Sequence, residues 1–129
     1  MLSRVAPWLA SRKDGAAPGV AVRALGGPDT SQLVDLARQD AVANVFILSH
    51  LKAAGSAAPT AGGARILGVF DGGTLLGACW AGANLVPVQL DPELAGTVAA
   101  AAHSTGRRYA SIFGPADSVL ALYAGLEQF

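Results

Sequence analysis

Few side chains in this sequence have the types and spacing that support covalent or metal chemistry. A cysteine beside a histidine can act as a nucleophile with its base, but no such motif accompanies Cys79, which lies within an apolar run. Cysteine in such a run behaves as a small hydrophobic residue. His50 and His103 fall in separate predicted helices, and no carboxylate pairs with them at ligand spacing. We therefore predict neither a catalytic cysteine nor a metal site.

The apolar segment 77–87, which reads GACWAGANLVP, carries the polar and aromatic residues of most interest. Asn84 is polar within this run, and a buried amide needs hydrogen-bond partners. Two interpretations stay open. A turn at residues 82–84 would let the Asn84 side chain satisfy the backbone. Alternatively, Trp80, Asn84 and Pro87 would build a ligand pocket or a domain interface.

The composition narrows the class of protein and its partners. The 129 residues are 52% hydrophobic and 14% charged, with nine basic and nine acidic residues and a net charge of zero. Without a basic run, neither nucleic acid nor an anionic membrane is an expected partner. No segment reaches the roughly 18 apolar residues of a membrane span. A single cysteine excludes an intrachain disulfide, and we expect a cytoplasmic protein.

Glycines and prolines, which interrupt helices and strands, and the spacing of apolar residues divide the chain into predicted elements. Residues 1–18 are predicted to be a flexible N-terminal tail, and residues 19–129 a single domain. The patterns predict the order β-α-α-β-β-β-α-β-α, with the last two strands parallel across a helical crossover. The fold class is thus α/β (α+β) with a mixed sheet. The predicted strands are 20–25, 65–70, 74–81, 84–90 and 109–113. The second predicted helix, 41–53, is apolar nearly all round, so we expect it to be buried on more than one face.

This order resembles the acetyltransferase fold of the GNAT superfamily. The strand 20–25 followed by a helix near Asp29 resembles that family's beginning, and Leu122-Tyr123 with Leu126 and Phe129 resembles its late motif. A narrower resemblance covers residues 20–129. The segments DAVANV (40–45), GACWAGANLVP (77–87) and SIFGP (111–115) are similar to a domain of unassigned function that precedes the catalytic acetyltransferase domain in many proteins of high-GC Gram-positive bacteria.

The resemblance implies a cofactor site whose main motif is missing. In the family, the strand that contains Val86 and Val88 would hold the pantetheine arm of acetyl-CoA, and Tyr123 stands where a general acid is often found. The alternative for Tyr123 is a core residue of an amphipathic helix. The loop that should bind pyrophosphate through glycine-rich backbone reads DPELAG at 91–96, where Pro92 removes a donor and the two acids repel phosphate.

Three functions follow as hypotheses. The first is a degenerate, non-catalytic GNAT-like domain that is incomplete at its C-terminus. Such a domain binds no cofactor itself, and it packs on a C-terminal acetyltransferase domain of the same protein, which uses acetyl-CoA. The second is an active acetyltransferase with an atypical cofactor loop. The third is a small-ligand-binding or interaction module. An incomplete fold would also leave one sheet edge open, so a homodimer through that edge is predicted.

Overall fold

The computed structural model describes residues 19–129, so the predicted tail at 1–18 lies outside the described residues. Five strands are present: β1 (Val20–Ala24), β2 (Arg65–Asp71), β3 (Thr74–Ala81), β4 (Asn84–Val88) and β5 (Ser111–Ile112). The α-helices of the described part are α1 (Thr30–Ala37), α2 (Val45–Ala54), α3 (Ala95–Ser104) and α4 (Ala116–Leu126). The predicted order of elements and the mixed α+β class are confirmed. None of the helices between residues 19 and 129 has the length and apolar character needed to cross a membrane.

The strands form one sheet in the order β1-β2-β3-β4-β5. The first three pairs are antiparallel, and β4 and β5 are parallel. Parallel pairing follows from the chain path, because β4 reaches β5 only through the crossover helix α3. At the β2–β3 hairpin the turn consists of two glycines, and Gly72 has a φ of 60°, which glycine adopts without steric cost.

Helices cover both faces of the sheet, which explains why the central strands are apolar between their ends. On one face, α1 and α2 pack over a core that includes Leu33, Ile47 and Ile66. On the other face, α3 and α4 pack over a second core that includes Val98 and Leu122. β2, β3 and β4 separate these two cores, and their side chains alternate between them.

A paired charge connects β1 to the start of α1. The guanidinium of Arg23 donates to both carboxylate oxygens of Asp29, at 2.8 and 2.9 Å, and the same carboxylate accepts from the Gly26 amide at 2.8 Å. The Arg23 group also lies 4.2 Å from the centre of the Phe70 ring. The hydrogen bonds from Arg23 and then from Gly26 lower the pKa of Asp29 to about 2.

The second helix differs from its prediction in both position and burial. It begins at Val45 rather than at residue 41, because Asp40 accepts from the Ala43 amide and caps a turn that precedes the helix. Only one face is buried, through Ile47 and Leu51. Its outer face carries Val45 and Phe46. The expectation that this helix is buried on more than one face is therefore wrong.

The last strand is shorter than its pattern predicts. β5 comprises only Ser111 and Ile112, although two further backbone bonds, Ala110 N to Ala83 O and Phe113 N to Leu85 O, extend its contact with β4. At Gly114 the backbone has a φ of 145° and the chain turns away into α4. This turn limits β5 to two residues.

Candidate functional site

Three aromatic side chains meet on the α1–α2 side of the sheet, and we call them the aromatic face. Trp80 of β3 packs against Phe46 of α2, with 5.4 Å between ring centres, and Phe46 contacts Phe113 at 6.0 Å. Both contacts are edge-to-face, the arrangement that aromatic quadrupoles favour. Phe46 and Phe113 are more than one-third exposed. The aromatic face therefore adjoins solvent beside the carboxyl end of β5.

His50 lies next to this cluster on α2. Its ring centre is 4.7 Å from that of Trp80, at an angle of 64°. The Nε2 atom is shielded from solvent and has no hydrogen-bond partner among residues 19–129. An unpaired buried nitrogen costs free energy.

Asn84 shares the sheet face of Trp80, but its side chain does not satisfy the backbone of its own turn. Its Oδ1 accepts a hydrogen bond from the Ser111 hydroxyl at 2.7 Å. The turn itself is closed by the Gly82 amide and the Asn84 carbonyl, at 3.1 Å. Asn84 thus links β4 to β5 across the parallel pair. A Cβ at Gly82 would lie only 2.7 Å from Trp80 Nε1, so the indole occupies the space above that glycine.

Pro87 belongs to the opposite face. Its register partner is Cys79, which lies in the α3–α4 core, and side chains that pair across strands share a face. The proline ring packs against Gly114, whose Cβ, if present, would lie 3.2 Å from Pro87 Cγ. The structure therefore brings Trp80 and Asn84 to one face and separates them from Pro87.

Val86 and Val88, the residues implied for a pantetheine arm, are buried. The Leu85 carbonyl points toward β5, since it accepts from the Phe113 amide. Because backbone groups alternate sides along a strand, those of Val86 and Val88 point toward β3, and the next residue that points toward β5 is Pro87. Proline has no amide hydrogen. Beyond Leu85, β4 thus offers no N–H donor on its β5 side up to the end of the strand.

The backbone amides at the start of α3 are hydrogen-bonded to neighbouring residues of the same segment. Asp91 accepts from the Glu93 amide through its side chain at 2.9 Å and from the Leu94 amide through its carbonyl at 2.9 Å. The Ala95 amide donates to the Pro92 carbonyl. Each amide from Glu93 to Ala95 is therefore occupied within the chain, and two carboxylates lie beside them.

Tyr123 is a surface residue rather than a core residue of α4. Its side chain is 58% exposed, because Ser118 and Leu122 form the buried stripe of this helix. It lines a groove of about 490 Å³ between β5 and α4, which we call the α4 groove. The lining is mostly apolar and includes Tyr109, Ile112, Val119, Leu120, Tyr123 and Leu126. Tyr123 thus lies at the surface, in the groove beside β5.

The thiol and the histidines do not assemble a reactive group. Cys79 is fully buried, and burial raises the pKa of its thiol to about 12. His103 stacks on Phe129, with 4.2 Å between the ring centres, far along the chain from His50. Within the part of the chain that the structure describes, no three histidine, cysteine, aspartate or glutamate side chains are grouped to hold a metal ion.

A polar link near the aromatic face was not predicted. Asn44 is buried, and its Nδ2 donates to the carbonyls of Ala37 and Asp40 and to the Gln89 side chain at 2.9 Å. Gln89 follows β4 with a φ of 48°, in the left-handed region that residues other than glycine seldom adopt. An asparagine directly before an apolar helix was the available signal. Its partner, 45 residues away, depends on the tertiary fold.

The fold and this site define a mixed α+β domain whose exposed aromatic face lies beside the end of a parallel strand pair. Residues 64–129, from β2 to α4, match the family described as a domain of unknown function, DUF4081. The chain belongs to that family. Neither the curated proteins nor the solved structures contain a match.

Proposed function

We propose that this chain is a non-catalytic domain of a GNAT-family N-acetyltransferase. It packs on a C-terminal, acetyl-CoA-dependent domain of the same protein and shapes that domain's substrate site. The acetyl-CoA belongs to the catalytic domain, and this chain binds none. The order of its elements and the parallel β4–β5 pair with its helical crossover support the acetyltransferase-like part of the proposal.

The occupied amides at the start of α3 carry the non-catalytic part of the proposal. A pyrophosphate is held by free backbone N–H groups at a helix N-terminus. The amides of Glu93, Leu94 and Ala95 are all bonded within the chain. The carboxylates of Asp91 and Glu93 add repulsion toward an anion at the same place.

The end of β4 supports the same conclusion. An extended cofactor arm that lies along a strand needs the strand's outward N–H and C=O groups. On the β5 side, Pro87 lacks the N–H, and its ring fills the space against Gly114. An N–H donor at the strand and free amides at the helix are therefore both missing for acetyl-CoA.

The aromatic face supports the domain-packing part of the proposal. Phe46 and Phe113 are exposed, and their ring centres lie 6.0 Å apart beside the end of β5. Val42 and Val45, shortly before Phe46 in the chain, are exposed as well. A contiguous patch of exposed apolar side chains more often marks an interaction surface than a surface that stays in contact with solvent. Aromatic residues are also enriched at the centres of interfaces. This face is the surface that contacts the catalytic domain.

Isothermal titration of acetyl-CoA and of CoA into the chain tests the cofactor part. We expect no heat of binding and no thermal shift. Micromolar binding of either compound would contradict the proposal and favour an active enzyme with an atypical loop. In that case Tyr123→Phe should abolish acetyl transfer to an amine. Tyr109→Phe is the matched control, because the Tyr109 hydroxyl is held by Thr105 and Ala102 in the same groove.

A second experiment tests the packing on the catalytic domain. In the protein that carries both domains, Phe46→Ser is expected to lower acetyl transfer and to make the linker between the domains more sensitive to protease. Lys52→Ser on the same helix, also exposed, is the control and should change neither. Equal behaviour of the two variants would remove the aromatic face from the interface.

A further inference from the structure

Gln89 is the one residue other than glycine in residues 19–129 whose backbone has a positive φ, at 48°. A residue with a Cβ adopts this left-handed region at a cost, and it stays there only where the surrounding structure holds it. The space beside Gln89 is also tight, since a Cβ at Gly77 would lie 3.1 Å from the Gln89 carbonyl oxygen. The strained backbone after β4 therefore needs a contact that holds it.

The side chain of Asn44 supplies that contact. Asn44 is 3% exposed, and its Nδ2 donates to Gln89 Oε1 at 2.9 Å and to the carbonyls of Ala37 and Asp40 at 3.1 and 3.0 Å. These acceptors belong to the end of α1, the turn after it and the residue after β4. An asparagine at this position often caps the helix that follows, but the Asn44 side chain makes no cap bond to α2. Its hydrogen bonds connect separate segments instead.

The first turn of α2 carries Phe46, two residues after Asn44. The buried residues of this helix, Ile47 and Leu51, fix which side of α2 faces the sheet, but apolar contacts have no preferred direction. Hydrogen bonds are directional, so those of Asn44 also restrict the rotation and the axial position of the helix. The edge-to-face contact of Phe46 with Trp80, at 5.4 Å between ring centres, depends on both.

We propose that Asn44 and Gln89 are positioning residues for the aromatic face. The bond between their side chains holds the start of α2 against the end of β4, and this keeps Phe46 in contact with both Trp80 and Phe113. The left-handed backbone of Gln89 brings its side chain to Asn44, which is why the strain is retained. The positioning concerns this chain alone, and its consequence for domain packing rests on the proposed function.

Acrylamide quenching of Trp80 fluorescence in the 1–129 chain measures whether Phe46 stays in place. Trp8→Phe serves as the parent, because it leaves Trp80 as the sole tryptophan. Phe46→Ala in that parent gives the quenching constant of an indole that Phe46 no longer covers. Gln89→Gly removes the acceptor but adopts a φ of 48° without strain. We expect it to raise the quenching constant by at least half of the rise seen for Phe46→Ala.

The same variant separates positioning from stability. Relief of strain in Gln89→Gly offsets the lost hydrogen bond, so its unfolding temperature should stay within about 5 °C of the parent. Gln89→Glu is the matched control, because it keeps an acceptor oxygen at the same reach and should leave the quenching constant at the parent value. Equal quenching in Gln89→Gly and Gln89→Glu would overturn the proposal.

Asn44→Asp tests the other side of the link. A carboxylate of the same shape cannot donate to the three oxygens, so this variant should expose Trp80 as Gln89→Gly does. Circular dichroism establishes that each variant folds, and the two Gln89 variants decide the question if Asn44→Asp does not. A folded Asn44→Asp chain that quenches like the parent would contradict the positioning role.

Acetyl transfer by the protein that carries both domains distinguishes this inference from the proposed function. Gln89→Gly is expected to lower it, as Phe46→Ser does. An exposed Trp80 with unchanged acetyl transfer would support the positioning role and contradict the proposed function. A Trp80 that stays covered in Gln89→Gly would overturn the positioning role, whatever the rate of transfer.

Discussion

The side chains with the most distinctive chemistry in this chain serve structural roles. Asn84 joins two strands through Ser111, and Asn44 joins the start of α2 to Gln89. Arg107 donates from Nε to the Gly82 carbonyl at 3.1 Å and from Nη1 to the Gly63 carbonyl at 3.0 Å. The two asparagine bonds join side chains of different elements, whereas Arg107 satisfies backbone carbonyls of irregular segments.

The Arg23–Asp29 pair makes stability depend on pH. The folded-state pKa of Asp29 is about 2, against about 3.9 in an unfolded chain. The stabilisation is therefore present above pH 4 and is lost as the pH falls from about 4 toward 2. Because Arg23 is half exposed, we expect Asp29→Asn to lower the free energy of unfolding by roughly 1 kcal/mol at pH 7.

Urea unfolding of the wild type and of Asp29→Asn at pH 7 and at pH 2.5 measures this dependence. The difference in unfolding free energy between the two proteins should be smaller at the acidic pH, because most of the stabilisation by ionised Asp29 is lost there. Asparagine keeps the carbonyl that can accept from Gly26 but carries no charge at either pH. A difference that stays constant or grows on acidification would show that the ion pair does not supply the stabilisation.

At the scale of elements, small residues decide how closely the helices approach one another. α3 consists largely of alanine, and α4 crosses it at Gly125. A Cβ at Gly125 would lie 2.8 Å from the Cβ of Ala99, closer than real side chains approach. The alanines of α3 permit this close approach, and Gly125 is the residue of α4 that meets Ala99.

Gly125→Ala is expected to lower the free energy of unfolding by about 1–2 kcal/mol, because overpacking outweighs the gain in helix propensity. Gly96→Ala in α3 is the control, since a Cβ there meets nothing within 4 Å. It should be neutral or stabilising by up to about 1 kcal/mol. Thermal unfolding followed by circular dichroism measures both variants. Equal effects of the two substitutions would mean that the α3–α4 contact tolerates a methyl group.

At the scale of the whole molecule, the sheet separates two cores, and each core is covered by its own pair of helices. Cys79 of β3 lies in the α3–α4 core, while its neighbour Trp80 packs on the α1–α2 core. The thiol is shielded by β4 and by the helices above it. Its exposure therefore requires the α3–α4 core to open.

Reaction of Cys79 with a disulfide reagent at pH 8 is expected to be at least about a thousandfold slower in the native protein than in denaturant, as marginal domain stability requires. The control is a Cys79→Ala chain with Ser49→Cys on the exposed side of α2, which should react at once. Rapid labelling of native Cys79 would mean that β3 opens locally.

Patterns among neighbouring residues, such as helix caps and helix ends, predict most of the fold but little of the candidate site. Gly55, with a φ of 73°, ends α2 where a glycine after an apolar run predicts a helix end. Asp91 caps the turn before α3, as an aspartate followed by proline predicts. The outward orientation of Phe46 could not be predicted, because a helix that is apolar nearly all round does not indicate which side its sheet covers.

The sequence by itself determined the class and order of the secondary-structure elements. The spacing of apolar residues, the glycines and prolines that end elements, and the helix caps all act over a few neighbouring residues. The sequence also determined that the start of α3 is acidic and lacks one amide donor at Pro92. Only the tertiary structure decided that Trp80 and Asn84 share a face while Pro87 lies on the other. It alone placed Tyr123 at the surface beside β5, since strand register and helix docking depend on contacts between residues far apart in the chain.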